Sequence, residues 1–369
     1  MSDWDVARVC DVCEQVPVGT KYSKEFVQDH GRTKVIDQSQ EGIFGWHDNA
    51  ADIHASPESP VFTFANHTCS MRWMDEPFSV IQNVFPMRGI PGKTDTRFLY
   101  YASGASVVQD GYKGHFPQFR ESIIQIPPLP EQKKIAEILS GIDKAIDNQQ
   151  NEIEKVSTIH RITCQEKIGE LSQKSATTTI GSISNKIMDY RGKSPPKKDK
   201  GVPLITAKNI RKGFIDMNPA EFIQEDLYEE WMAKGVPVPG DILITTEAPL
   251  GNVAIAPPIK FAIGQRVICI SPNRARIVPE FLLACMKTDD FQKQLTASST
   301  GSTVSGVRQG VLLDCKIPLP DIELQIKIGN LDLCAIEMIS ILTLKKAKLS
   351  ILKQSIASDL LSGRKRVSV

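Results

Sequence analysis

The sequence predicts an α+β chain of two similar α/β modules separated by two long antiparallel coiled-coil helices, with a pseudo-two-fold internal repeat. Three observations predict it: self-similarity at a spacing near 190 residues, a Pro-Leu-Pro element closing each half, and a proline-free heptad pattern after each such element. At 369 residues the chain exceeds one ordinary core and fits two domains.

The repeat is plainest in Ile126-Pro127-Pro128-Leu129-Pro130, echoed by Ile317-Pro318-Leu319-Pro320. Upstream, Phe78-Ser79-Val80-Ile81-Gln82-Asn83-Val84 aligns with Phe261-Ala262-Ile263-Gly264-Gln265-Arg266-Val267, and Arg97-Phe98-Leu99-Tyr100 with Glu280-Phe281-Leu282-Leu283 at the same offset of 183. Chance similarity rarely keeps one offset across two blocks, so the order reads module, helix, module, helix. Both Pro-Leu-Pro elements suit boundaries, because proline holds the preceding residue extended while a helix can start just after it.

In the first helix Ile135, Leu139, Ile142, Ile146, Gln149, Ile153, Val156 and His160 step by alternating fours and threes, a coiled-coil seam. The second module holds a turn at Val236-Pro237-Val238-Pro239-Gly240-Asp241 that enters a strand over 242–246. A neighbouring strand over 252–256 and a helix over 277–296 follow. In the second long helix the seam is Ile328, Leu331, Ala335, Met338, Leu342, Lys345, Leu349, Leu352 and Ile356, and Gly363 with Arg364, Lys365 and Arg366 makes its C-terminal stop. Two seams in one chain satisfy each other most simply by antiparallel pairing, which would hold the modules apart as a dumbbell. Forty helical residues span about 60 Å. Gln149, His160 and Lys345 interrupt the seams as register-setting or solvent-edge residues rather than as ligands.

The apolar fraction of 41% and charged fraction of 24% are those of a globular chain, with no apolar run long enough to cross a bilayer. The acidic N-terminus lacks the order of a secretory signal, so a cytoplasmic location is expected. The eight cysteines, with a single C-x-x-C at Cys10 and Cys13, are read as buried apolar residues, and no metal site is expected. Residues 1–130 hold 11 Lys/Arg against 16 Asp/Glu, whereas residues 186–212 hold 9 against 2. The second patch has the density that attraction to a polyanion requires.

Catalytic motifs fail on inspection. The Pro-Pro pairs at 127–128, 195–196 and 257–258 lack the Asp/Asn-Pro-Pro-aromatic pattern of amino-methylating enzymes. Gly92-Lys93-Thr94 and Gly192-Lys193-Ser194 imitate the end of a P-loop, but Met87 and Ile187 stand where its first glycine belongs. His47 and His54 flank Asp48 and Asp52 at no metal-binding spacing. The chain is therefore expected not to be an enzyme by itself.

Pro128-Leu129-Pro130-Glu131-Gln132-Lys133-Lys134-Ile135-Ala136, leading into a long amphipathic helix, is similar to the conserved-region signature of type I restriction-modification specificity subunits. The second module adds three blocks that resemble their target recognition domains: residues 201–213 (GVPLITAKNIRKG), residues 239–245 (PGDILIT), and Ser299-Thr300-Gly301-Ser302-Thr303-Val304-Ser305. The first module departs from the pattern, with Tyr112-Lys113-Gly114-His115-Phe116 in place of the last block. The resemblance implies target recognition domain 1 over 1–130, spacer helix 1 over 131–175, target recognition domain 2 over 176–322 and spacer helix 2 over 323–369. It also implies that each module reads one half of a bipartite site in double-stranded DNA. The helices would set the gap and dock two adenine-methyltransferase subunits, which carry the S-adenosylmethionine, and a restriction/translocase subunit can join the assembly.

Under that resemblance the second module's phosphate-positioning candidates are Lys193, Lys197, Lys198 and Lys212, and its base-contacting candidates are Lys208, Asn209, Arg211, Arg266 and Arg308. In the first module the candidates are Lys21, Arg72, Arg88, Lys93, Lys113 and His115. Two rival readings stay open: a coiled-coil protein-interaction scaffold without DNA contact, and the recognition subunit of a related system with fused methylation and cleavage partners.

Overall fold

The computed structural model describes residues 4–39, 42–104, 106, 114–190, 194–218, 220–297 and 307–368. The chain divides into two compact units, Met1–Asn148 with Lys346–Val369, and Gln149–Lys345.

In the first unit the order is β1 (Asp5–Arg8), α1 (Val9–Val12), β2 (Cys13–Gln15), β3 (Lys21–Tyr22), β4 (Thr33–Ile36), β5 (Ile43–His47), β6 (Val61–Ala65), β7 (Met71–Met74), β8 (Phe78–Ile81), β9 (Val84–Gly89), α2 (Thr96–Ser103), α3 (His115–Glu121), β10 (Ile123–Ile126) and the start of α4 (Leu129–Lys174). An antiparallel sheet runs β2-β9-β6-β7, a mixed sheet runs β3-β8-β4-β5 with β4 parallel to β8, and β1 pairs with β10. One apolar core joins Phe62, Phe64, Met87, Leu99 and Phe119, and a second joins Ile53, Phe78 and Val80.

The second unit follows with β11 (Thr177–Thr179), β12 (Ser184–Asp189), β13 (Val202–Ile205), β14 (Phe222–Ile223), α5 (Tyr228–Trp231), β15 (Ile242–Thr245), β16 (Val253–Ile255), β17 (Ala262–Ile263), β18 (Val267–Pro272), α6 (Pro279–Met286), α7 (Asp289–Ala297), α8 (Gln309–Asp314), β19 (Lys316–Pro318) and α9 (Ile322–Leu361). The plan of the first unit returns: β12-β18-β15-β16 is antiparallel, β14-β13-β17 is mixed with β13 parallel to β17, and β11 pairs with β19. The strands expected over 242–246 and 252–256 are the antiparallel neighbours β15 and β16. The helix expected over 277–296 is two helices, α6 and α7, broken at Lys287-Thr288, where the Thr288 hydroxyl turns back to the Cys285 carbonyl.

The offset of 183 is structural as well. It carries β9 onto β18 and α2 onto α6, and Phe98-Leu99 and Phe281-Leu282 are all fully buried. Burying each of these side chains stabilises its module by about 2 kcal/mol. A glutamine at the start of each long helix makes the same three bonds. Gln132 accepts from the Asp95 N–H (2.8 Å) and donates to the Pro127 and Lys93 carbonyls (2.9 and 3.1 Å). Gln325 accepts from the Val278 N–H (2.9 Å) and donates to the Pro320 and Arg276 carbonyls (2.9 and 3.2 Å). Both are 1% exposed, so the signature glutamine ties the helix to the loop ahead of α2 or α6.

Within each unit α4 and α9 pair antiparallel. In the first, Asp143 of α4 meets Lys353 of α9 at 2.5 Å, and Glu131 takes Arg366, just beyond α9, at 2.7 and 2.8 Å. In the second, His160 of α4 meets Asp332 of α9 at 2.8 Å, while Ile168 of α4 and Ile328 of α9 share one core. The seam expected on α4 faces inward, with Ile135 and Leu139 fully buried and Gln149 at 4%. The seam expected on α9 is half corrected. Ile328 and Leu342 are buried, but Leu331, Met338 and Leu352 are 40%, 50% and 50% exposed. The inward stripe instead steps through Ile328, Asp332, Ala335, Ile339, Leu342, Lys346, Leu349, Lys353, Ile356 and Leu360, admitting Asp332 and Lys353 because each has an ionic partner on α4. Gly363 closes the helix at φ 68°, a left-handed position that glycine takes without strain.

The cysteines are all free. Five are buried as expected, but Cys10 and Cys69 are half-buried and Cys334 is exposed. Burial pushes the Cys13 thiol up to about 12 and those of Cys164 and Cys315 up to about 11, so these are inert packing residues. Among the described residues no helix is long and apolar enough to cross a membrane.

Candidate nucleic-acid interface

In the second unit several polar and cationic residues line one cleft of about 150 Å³ in the face where β13, β17 and the segment at 194–197 meet. Lys197, Lys208, Gln265 and Arg266 line it, with Ser194, Thr206 and Glu221 between them. Glu221 gathers the lysines, with its Oε1 2.8 Å from the Lys197 Nζ and 3.9 Å from that of Lys208. Arg266 pairs with Glu247 at 3.0 Å, and the Ser194 hydroxyl donates to Gln265 Oε1 at 2.8 Å. These cations stay 49–68% exposed, so their ion pairs are weak, exchangeable contacts that a phosphate or a base edge can replace. Arg308 is exposed at the start of α8, and the preceding Val307 N–H donates to the Thr246 carbonyl, whose own N–H donates to the Arg266 carbonyl. Lys198 and Lys212 are exposed as well. Lys193 and the block at 299–305 lie outside the described residues.

Asn209 requires a correction. It is 3% exposed, its Oδ1 accepts from the Thr206 N–H and hydroxyl at 3.0 Å each, and its Nδ2 donates to the Asp216 carbonyl at 3.0 Å. An amide so engaged does not reach a base, and it shapes the loop that presents Lys208 and Arg211. Arg211 pairs with Asp216 at 3.2 Å, and the Asn218 N–H together with that guanidinium holds the Asp216 carboxyl below the usual range. The basic run at 186–212 shows these cations in sequence. Glu221, the partner of Lys197 and Lys208, and Asp216, the partner of Arg211, lie outside it.

In the first unit the candidates do not converge on one cleft. Lys21 and Lys93 are exposed, Arg88 pairs with Glu14 at 2.5 Å, and Arg72 donates to the Ser39 carbonyl. Lys113 lies outside the described residues. His115 is the second correction. It is fully buried, and its Nδ1 lies 2.7 Å from the Asn66 carbonyl, so it packs α3 onto the β6–β7 turn rather than facing a ligand. A cleft of about 690 Å³ instead brings Arg88 together with Arg97, Lys133 and Lys144 beside Trp73, with the Arg97 guanidinium 3.8 Å from the Trp73 ring centre. A cation stacked on an aromatic face is oriented as well as charged. Arg97, Lys133 and Lys144 were not legible as a group because they stand on two helices, α2 and α4, at no spacing that a sequence motif records.

Among the described residues one group could approach a metal: His160, Cys164 and Asp332, with ligand atoms within 4.8 Å of one another. Lys287 already contacts both Asp332 oxygens at 2.6 and 2.7 Å, so the group is a closed ionic node that fastens the end of α6 to the helix pair. Tyr101, Asp143 and Lys353 make the corresponding tie in the first unit, with the Tyr101 hydroxyl donating to Asp143 at 2.6 Å. His47, whose spacing fits no metal-binding motif, is buried with Nε2 3.0 Å from the Ser79 hydroxyl and its ring stacked on Tyr22.

The family model described as the type I restriction modification DNA specificity domain matches this chain twice, over residues 1–158 and 173–331. The chain is 27% identical over 270 residues to a Methanocaldococcus jannaschii protein named for the specificity subunit of the MjaX type I restriction enzyme, covering 68% of this chain and 61% of that one. It is 26% identical over 276 residues to the type I restriction enzyme MjaVIII specificity subunit of the same organism, covering 68% and 63%. The match thus spans under two thirds of these relatives' lengths. A solved type I restriction-modification S subunit from M. genitalium superposes with a TM-score of 0.65 at 16% identity, over 97% of this chain and 96% of that one, which shows a shared fold.

Proposed function

Because the chain belongs to the type I restriction modification DNA specificity domain family, we propose that it is the non-catalytic DNA-recognition subunit of a type I restriction-modification complex. Each unit reads one half of a bipartite site in double-stranded DNA. The observation that carries this reading is the duplication: two units with the same sheet order and the same glutamine clasp, matched separately by the specificity-domain model. A duplicated reader suits a target of two separated halves. The segments 1–130 and 176–322 act as target recognition domains, and 131–175 and 323–369 as spacer helices.

In the second unit Lys208, Arg211, Arg266 and Arg308 supply base contacts, while Lys193, Lys197, Lys198 and Lys212 hold phosphates. In the first, Arg88 with Arg97, the exposed Lys21 and Lys93, the half-buried Arg72, and Lys113 serve the same ends. The exposed side of α9, with Leu331, Met338, Ile341 and Leu344 at 40–60% exposure, offers an apolar face for the adenine-methyltransferase subunits, two copies per chain. Those subunits bring the S-adenosylmethionine, a restriction subunit completes the complex, and the assembly works in the cytoplasm.

The test is to map methylated adenines genome-wide in cells carrying the partner methyltransferase with and without this chain. A bipartite motif that appears only with the chain is expected. Methylation indifferent to the chain, or duplex binding with a flat dependence of log K on log salt, would refute the reading in favour of a scaffold without phosphate contacts.

A further inference from the structure

We propose that the two-residue corner where each unit's chain passes from its mixed sheet to its antiparallel sheet is a base-reading element. This corner is Gln265-Arg266 in the second unit and Gln82-Asn83 in the first, and each takes the edge of one base pair in its half-site. The inference rests on the DNA-recognition reading above and adds to it which residues discriminate bases and which bases they favour.

The two corners are the same piece of structure. Gln82-Asn83 lies between β8 of the mixed sheet and β9 of the antiparallel sheet, and Gln265-Arg266 lies between β17 and β18 in the corresponding sheets. The second residue of each is in the left-handed region, Asn83 at φ 66° and Arg266 at φ 67°. Each corner is pinned by a bond to its carbonyl: the Asn66 N–H donates to Asn83 at 3.0 Å and the Thr246 N–H to Arg266 at 2.9 Å. A rigid corner launches its side chain from a fixed point, which base discrimination requires.

Strain says which residue has a task. A left-handed conformation costs an L-residue about 1 kcal/mol, glycine nothing, and asparagine less than most. An arginine there carries a cost that its packing does not repay, since its side chain is 49% exposed and its partner is the half-buried Glu247. Beside it Gln265 lines the cationic cleft, with its Oε1 on Ser194, while among the described residues the side chains of Gln82 and Asn83 make no hydrogen bond. In the major groove arginine pairs bidentately with the O6 and N7 of guanine, and asparagine or glutamine with the N6 and N7 of adenine. The second unit's half-site should therefore contain a guanine read by Arg266, and the first unit's an adenine read by Asn83.

The experiment maps the methylated motif in cells carrying the partner methyltransferase with the full chain as wild type, Arg266→Gly, Arg266→Asn and Asn83→Arg. Glycine and asparagine both accept the left-handed angle, so the two Arg266 variants keep the fold, checked by an unchanged unfolding midpoint. Each is expected to relax discrimination at one guanine of one half-site by about 10- to 100-fold. Asn83→Arg is expected to shift one position of the other half from adenine toward guanine. A wild-type chain that specifies no bipartite motif would sink the recognition reading itself. A wild-type motif left unchanged by the Arg266 variants would overturn the corner assignment alone. Folded Arg266 variants that alter both halves, or lose methylation at every site, would overturn it equally.

Discussion

The glutamine clasp allows a quantitative test of the duplication. Replacing Gln132 with alanine removes one acceptor and two donors at a site 1% exposed, leaving the Asp95 N–H and the Lys93 and Pro127 carbonyls without that partner. An orphaned buried donor costs about 1–3 kcal/mol, and carbonyls cost less because a second lone pair can find water, so the total loss is about 3 kcal/mol. With a urea slope of about 2 kcal/mol/M the midpoint of the first unit's transition should fall by about 1.5 M. Gln325→Ala removes the same three bonds in the second unit, around Val278, Arg276 and Pro320, and should cost the same within about 1 kcal/mol. Urea unfolding followed by far-ultraviolet circular dichroism, on each single variant and on the double, measures both losses. A loss under about 1 kcal/mol for either variant, or a large loss for one alone, would refute the claim that the clasp is one device used twice.

Three further outcomes follow from the structure. Lys208→Ala with Arg211→Ala should weaken recognition of one half-site only, by about 1–3 kcal/mol for each base contact removed, read by titrating duplexes in which that half-site is intact or altered. Met338→Glu with Ile341→Glu, at sites 50% and 54% exposed, should leave stability within about 0.5 kcal/mol yet abolish co-purification with the methyltransferase subunit, whereas loss of folding would show that the face is core. Bonds from Arg366 and Trp4 hold the Glu131 carboxyl below the usual carboxylate range. A carboxyl lowered in the folded state stabilises above its unfolded value and loses that contribution as pH falls through the folded one. The deficit of Glu131→Gln relative to wild type should therefore be full near about pH 6 and shrink toward about pH 3, as measured by urea unfolding.

The fold was legible where periodicity and repetition carry information, and illegible where a polar side chain finds a distant partner. The offset of 183 and the two Pro-Leu-Pro elements marked the duplicated modules because backbone topology follows local pattern. The site was half legible. The basic run marked Lys197, Lys208 and Arg211, but one sequence could not tell an asparagine facing solvent from Asn209, whose amide closes a loop, nor a histidine at an interface from buried His115. The corner at Asn83 stood in the repeat alignment, and only a backbone angle distinguishes it from any strand connection.

The long helix α9 shows why pattern alone misleads. Its apolar residues surround it almost evenly, so two heptad stripes compete: the one through Leu331, Met338 and Leu352, richer in apolar residues, and the one through Asp332 and Lys353. Apolar burial alone favours the first. The second is the one buried because Asp332 meets His160 and Lys287, and Lys353 meets Asp143, and a charge with a partner fixes register where interchangeable aliphatic side chains do not. The exposed Leu331, Met338 and Ile341 then need no explanation as failed core. They are what remains when polar partners have chosen the seam, an apolar face of α9 that folding does not consume.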